Sequence, residues 1–175
     1  MPTATGNTDT VISSTRFEIY SDGELVPPGV GIISVLIQNS INRIPSARLV
    51  LIDGDVTTGD FSASASELFV PGKPIEIKAG YDGNQASVFK GIIVRHGIEF
   101  TEGNLTHLII ELRDPCVKLT VGRKNKYFFD SKDSEIIEEI IGGYSGLSSD
   151  VESTDNSHPS MVQYYVTDWD FILRK

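Results

Sequence analysis

Pro71-Gly72-Lys73-Pro74-Ile75-Glu76-Ile77-Lys78-Ala79 runs into Tyr81-Asp82-Gly83-Asn84 and returns through Val88-Phe89-Lys90-Gly91-Ile92-Ile93. Alternation with period two puts Ile75 and Ile77 on one face and Glu76 and Lys78 on the other, which is the pattern of a half-buried strand. The Asp-Gly pair supplies the positive-φ conformations of a tight reversal, so this stretch predicts a β-hairpin and sets the fold class as β.

The same signals repeat on both sides. Residues 16–20 alternate, and Ser21-Asp22-Gly23-Glu24 reads as a turn. Val26-Pro27-Pro28-Gly29 is a further break, followed by apolar runs over residues 32–38 and 47–52. Residues 53–66, rich in Gly, Ser, Thr and Asp, read as an extended loop. Residues 98–101 and 105–113 flank Glu102-Gly103-Asn104, a second hairpin signal. Leu108, Ile110 and Leu112 share one face, and His107, Ile109 and Glu111 the other. Roughly seven short strands with no convincing helix predict a small β-barrel or sandwich domain over residues 13–121, preceded by a flexible tail at 1–12.

The pattern changes at residue 122. Ile136, Ile137, Ile140, Ile141 and Tyr144 recur at helical spacing, with Asp133 as the expected N-cap and Gly142-Gly143 as the stop. Residues 145–160 read as loop and 161–166 as a short strand. Thr167 is expected to cap a second helix, with Asp168 and Asp170 favoured by its dipole. That helix reaches the last residue, Lys175, within about two turns. Residues 122–175 therefore read as the N-terminal part of a second, α+β domain that continues in a longer protein. The expected class is mainly β, a small β-barrel or sandwich domain followed by the start of an α+β domain.

Composition narrows the function. Of 175 residues, 39% are hydrophobic and 22% charged, ordinary for a globular chain. A net charge of −9 disfavours phosphate backbones and anionic lipid as partners. No apolar run is long enough to span a bilayer, and the first residues lack the basic and apolar regions of a secretory signal. Synthesis in the cytoplasm without a signal peptide is the expectation. The single cysteine, Cys116, excludes an intrachain disulfide and reads as a small buried hydrophobe.

Catalytic patterns are weak. His96, His107 and His158 show no metal-ligand spacing with one another or with Cys116. Asp53, Asp55, Asp60, Asp130 and Asp133 could in principle form the carboxylate pair of a cell-wall glycan hydrolase, but each sits in a turn-like or cap-like context that explains it without catalysis. There is no Gly-x-Ser-x-Gly elbow and no phosphate loop. Gly122-Arg123-Lys124-Asn125-Lys126 reads as a solvated turn first, a contact with an acidic partner surface second, and a nucleic-acid grip a distant third. No cofactor, metal or catalytic residue is assigned.

Val162-Gln163-Tyr164-Tyr165-Val166-Thr167-Asp168-Trp169-Asp170-Phe171-Ile172-Leu173-Arg174 resembles a hallmark of VgrG-type spike proteins, a Gln-Tyr strand followed by an Asp-aromatic-Asp-Phe helix start and an arginine. Phe61-Ser62-Ala63-Ser64, Pro71-Gly72-Lys73, Gly80-Tyr81-Asp82-Gly83, Val88-Phe89-Lys90-Gly91-Ile92-Ile93 and Leu119-Thr120-Val121-Gly122-Arg123 are similar to that family's β domain and follow its order. The resemblance marks Gln163, Tyr164, Asp168, Trp169, Asp170, Phe171, Arg174, Phe89 and Gly91 as motif residues. It implies a structural, non-enzymatic hub of a type VI secretion or related contractile injection machine, with a prophage tail hub as the alternative. It also implies a homotrimer that connects a tube protein of the Hcp type to a membrane-puncturing needle with effector cargo and is exported by sheath contraction. Nucleic acid and direct membrane insertion by this segment are not expected.

Overall fold

The computed structural model of the protein describes residues 15–55, 61–81, 84–101 and 105–175. The turn positions 82–83 and 102–104 lie outside the described residues, as do the 1–12 tail and Asp60. The strands that those turns were expected to join are β5 (Pro74–Tyr81), β6 (Asn84–Phe100) and β7 (Leu105–Arg113), paired antiparallel as the hairpin signals require.

They form the middle of one antiparallel sheet with β1 (Thr15–Ser21), β2 (Glu24–Leu25), β3 (Ile32–Gln38) and β4 (Ser46–Asp55), in the order β2-β1-β5-β6-β7-β4-β3. Mainly β is therefore the observed class. Among the described residues the sheet stays open, with β2 and β3 as its edges, rather than closing into a barrel. The chain between the edges explains this. Val26 still donates to Ile19 O at 2.8 Å, but Pro27 and Pro28 have no N–H with which to extend a ladder toward β3.

The core of the sheet is built by the alternation. Leu49 faces Ile110 and Leu51 faces Leu108 across the β4–β7 register, and all four are fully buried. His107, Ile109 and Glu111 lie half-buried on the other face, as the pattern requires. The loop at 61–66 is a packed cap rather than an open excursion. The Asp53 carboxylate, 2% exposed, accepts from Ala63 N at 2.9 Å (Oδ1) and from Ser64 N at 3.0 Å (Oδ2). This cap carries Phe69, on the 3-10 turn Glu67–Phe69, into the core. Replacing Asp53 by Asn is expected to lower stability by about 1.5–3 kcal/mol, because an amide turns one acceptor into a donor facing a backbone N–H. A lower denaturant midpoint with an unchanged slope is the expected readout.

On β6, Phe89 lies opposite Ile77 and is buried. Gly91 is required beside it: a Cβ there would come within 2.5 Å of the Arg113 carbonyl oxygen and 2.6 Å of the Phe89 ring.

A second cluster of buried side chains, Leu119, Phe128, Ile136, Ile140 and Phe171, lies among the 3-10 turn Pro115–Thr120, β8 (Lys124–Lys132), α1 (Asp133–Gly142), β9 (Ser157–Val166) and α2 (Asp168–Ile172). Strands β8 and β9 pair as a separate two-stranded antiparallel sheet. The helical face read over 136–144 holds, with Glu135, Glu138 and Glu139 outward. Its start differs from expectation. Lys132 is the cap residue, and its N–H donates to Glu135 Oε2 at 2.9 Å, while Asp133 is already helical and pairs with His158 at 3.2 Å. Strand β9 also begins at Ser157, several residues before the expected start, because pairing with β8 extends the chain through Pro159. No helix among the described residues is long and apolar enough to cross a membrane.

Candidate functional site

The motif residues meet at the junction of β9 and α2. Register shifts between Lys124 and Lys126, so that Lys124 faces Val166 and Lys126 faces Gln163. Tyr165 takes up the extra length in a bulge with φ of 49°, and its N–H donates to Asn125 Oδ1 at 2.8 Å. The bulge re-aims the strand so that Gln163, before it, and Asp168, after it, both point inward. Gln163 is fully buried and Asp168 nearly so.

Gln163 Nε2 donates to Asp168 Oδ1 at 2.7 Å and to Val166 O at 3.3 Å. Asp168 Oδ2 accepts from Lys124 Nζ at 2.7 Å and from Tyr144 OH at 2.5 Å, and Lys124 Nζ also contacts Tyr144 OH at 2.8 Å. Four elements or their connections are thereby tied to one carboxylate: β8, the turn after α1, β9 and α2. Burial by itself pushes the Asp168 carboxyl up, but hydrogen bonds from Gln163, Lys124 and Tyr144 outweigh it and hold the group below its ordinary value. The bond to Asp168 raises Lys124, and burial, joined by the same bond, raises Tyr144. A saturated, ionised, buried carboxylate is a clamp, not an acid or base available to a substrate.

Lys124 was expected in a solvated turn. The structure instead spends the basic run on the chain itself: Lys124 on Asp168, Lys126 on Glu139 at 2.7 Å, and Arg123 stacked 4.9 Å from the Tyr165 ring centre. Lys124 and Tyr144 are the site residues that sequence reasoning missed. They are separated from Asp168 by 44 and 24 positions, and only the motif's buried acid could have called for a cation.

The other motif residues divide by direction. Thr167 caps α2 by accepting from Asp170 N at 3.1 Å, and its hydroxyl donates to Asp170 Oδ2 at 2.7 Å. Phe171 is buried and stacks on Phe128, ring centres 5.8 Å apart. Tyr164 is 78% exposed, and Arg174 is also exposed. Trp169 is half-buried. It packs against the second core and lines a cleft with Arg113 and with residues 37–40, 42–44 and 46. The cost of Trp169→Ala is therefore expected to fall below the roughly 3–5 kcal/mol of a fully buried aromatic, as read by thermal melting. Phe89 and Gly91 belong to the first core and are not brought to this junction.

Other reactive groups stay dispersed. His96 Nδ1 lies 3.0 Å from Phe69 O, and no three His, Cys, Asp or Glu side chains converge as a metal site among the described residues. Burial and the neighbouring Asp114 push the Cys116 thiol up to about 12, far from nucleophilic. Asp53 is spent on two amides, and Asp133 lies 3.2 Å from His158 Nε2 and 3.5 Å from Lys175 Nζ, while the side chain of Asp55 lies outside the described residues.

Comparison with solved structures shows a shared fold. A 43 kDa tail protein of prophage MuSo2 from Shewanella oneidensis matches with a TM-score of 0.68 at 12% identity, over 92% of this chain and 47% of that one. An E. coli component of the type VI secretion system, described as similar to the T4 bacteriophage tail proteins gp27 and gp5, matches with a TM-score of 0.64 at 13% identity, over 89% and 41%. A Francisella PdpA-VgrG complex matches with a TM-score of 0.58 at 14% identity, over 93% and 28%. The chain thus has the fold of VgrG-related and phage tail proteins and spans less than half the length of each of these structures. No curated protein matches the sequence. The family model described as the Alg8 N-terminal domain matches residues 11–175, nearly the whole chain, and the chain belongs to that family.

Proposed function

We propose that the chain is a hub module of a contractile injection machine, VgrG-like in role, which transmits thrust through packed protein interfaces and performs no catalysis. The observation that carries this reading is the fold it shares, over about nine-tenths of its length, with tail and VgrG-related structures. In the full-length protein the module trimerises, seats on a tube protein of the Hcp type and leads to a needle and effector cargo. Contraction exports it. Residues 13–121 act as the hub's β module, and residues 122–175 begin a second one.

The Asp168 clamp suits such a part. A module loaded mechanically needs its strand-to-helix junction held by several elements at once, and one buried carboxylate with three donors does that. Similarity to a prophage tail protein supports a second reading, the equivalent hub of a phage tail. Isolated particles separate the two: a DNA-filled capsid on the same tail indicates phage.

Sedimentation equilibrium of the full-length polypeptide tests the assembly reading. A trimer is expected, and a monomer at all concentrations would refute it.

A further inference from the structure

The cleft beside Trp169 carries unmatched positive charge on a chain whose net charge is −9. Arg43 and Arg113 line it with Asn39, Asn42 and Gln38, and no Asp or Glu is among the lining residues. Both arginines are exposed, and neither guanidinium pairs with a described residue. The cleft lies at the C-terminal end of β3, the edge strand, whose sequence Ile32–Gln38 contains no charge and no proline to discourage a neighbour.

The complementary feature is on the same chain. Residues 148–156, Ser-Ser-Asp-Val-Glu-Ser-Thr-Asp-Asn, run without helix or strand. Asp150, Glu152 and Asp155 are exposed and form no ion pair with a described residue. The segment is nevertheless pinned: Ser134 N donates to Thr154 Oγ1 at 3.2 Å, and Thr154 N donates to Ser134 Oγ at 3.3 Å. Pinning lowers the ordering cost that a loose acidic tail would bear on binding. None of these three acids lines the cleft within one chain.

We infer that the acidic 148–156 segment of one copy docks in the Arg43–Arg113–Trp169 cleft of the next. Two different patches meeting make a head-to-tail contact, the kind that closes into a ring when the rotation per copy allows. The inference rests on the assembly reading above and gives that reading its surface. Charge matching of exposed groups steers and selects more than it binds, so a single contact is weak and salt-sensitive, and repetition around a ring supplies the rest.

Trp169 is the only tryptophan and lies in the cleft, so its fluorescence reports occupancy. The probe is a synthetic peptide of residues 148–156, titrated into the protein at low salt, with calorimetry in parallel. A saturable signal is expected, weakened about tenfold or more, roughly 1.4 kcal/mol per decade, by Arg43→Glu, by Arg113→Glu or by a peptide carrying Asp150→Asn, Glu152→Gln and Asp155→Asn. Both arginines are exposed, and unchanged melting of the variants verifies that they fold. No heat and no fluorescence change up to millimolar peptide would overturn the inference. So would equal binding of the neutral peptide, or of a poly-glutamate peptide of the same length, which would mark a general anion cleft. A full-length trimer whose cleft ignores the peptide would leave the assembly reading standing and remove only this surface.

Discussion

Replacing Asp168 by Ala is expected to cost about 3 kcal/mol or more of folding stability, within the range for breaking a buried charge pair. The substitution removes the acceptor shared by Gln163, Lys124 and Tyr144. Lys124, with 47% of its side chain exposed, regains water, which keeps the loss toward the lower end. Gln163 is fully buried and regains nothing. Asp168→Asn keeps the shape and is expected to cost less.

The same residue sets an acid dependence. Its native pKa lies below the ordinary value, so the unfolded chain binds the proton more readily. Its stabilisation is complete above the ordinary carboxylate range and is lost as pH falls through the lowered native value. Urea titrations across that acid window are expected to show a smaller drop for Asp168→Asn than for the unmodified chain. Equal drops would place the acid sensitivity elsewhere.

Truncating Phe89 to Ala is expected to cost about 3–5 kcal/mol, since the ring is buried in the first core. Gly91→Ala fails for the opposite reason, adding a carbon where the Phe89 ring and the Arg113 carbonyl already stand, and about 1–3 kcal/mol is expected. The two are coupled. With Phe89 shortened, one of the obstructing groups is gone, so the double variant is expected to lose less than the sum of the single losses. Strict additivity in denaturant midpoints would show that the carbonyl alone dictates glycine.

The sheet was legible wherever one face is buried and the other is not. Residues 75–79 and 105–113 alternate because the protein has one interior side there, and period two records it. Barrel closure was not legible, because it depends on whether distant edges meet: Pro27 and Pro28 stop the ladder locally, but nothing in the two-residue β2 says which strand would lie beyond it. Strand β8 escaped for a related reason. Tyr127 and Phe129 are exposed while Phe128 is buried, so its outer face is as apolar as its inner one and no alternation shows. In the motif, the Thr167 cap could be read from local chemistry, whereas Lys124 and Tyr144 reach Asp168 only through tertiary packing. Resemblance to VgrG-type sequences drew attention to Gln163 and Asp168, and geometry supplied the reason that those residue types occur together: an amide donor and a carboxylate acceptor, 2.7 Å apart and shut away from water.

A particle that must drive a tube through a barrier leaves its tip proteins physically seated on that tube. Electron cryomicroscopy of sheathed particles purified from cells that make this protein therefore tests the claim most directly. Density at the tube's end that accommodates the open sheet of residues 15–113, repeated in a closed ring, is the expected result. Particles complete to the tip that contain no copy of this chain, by density or by mass spectrometry, would contradict it.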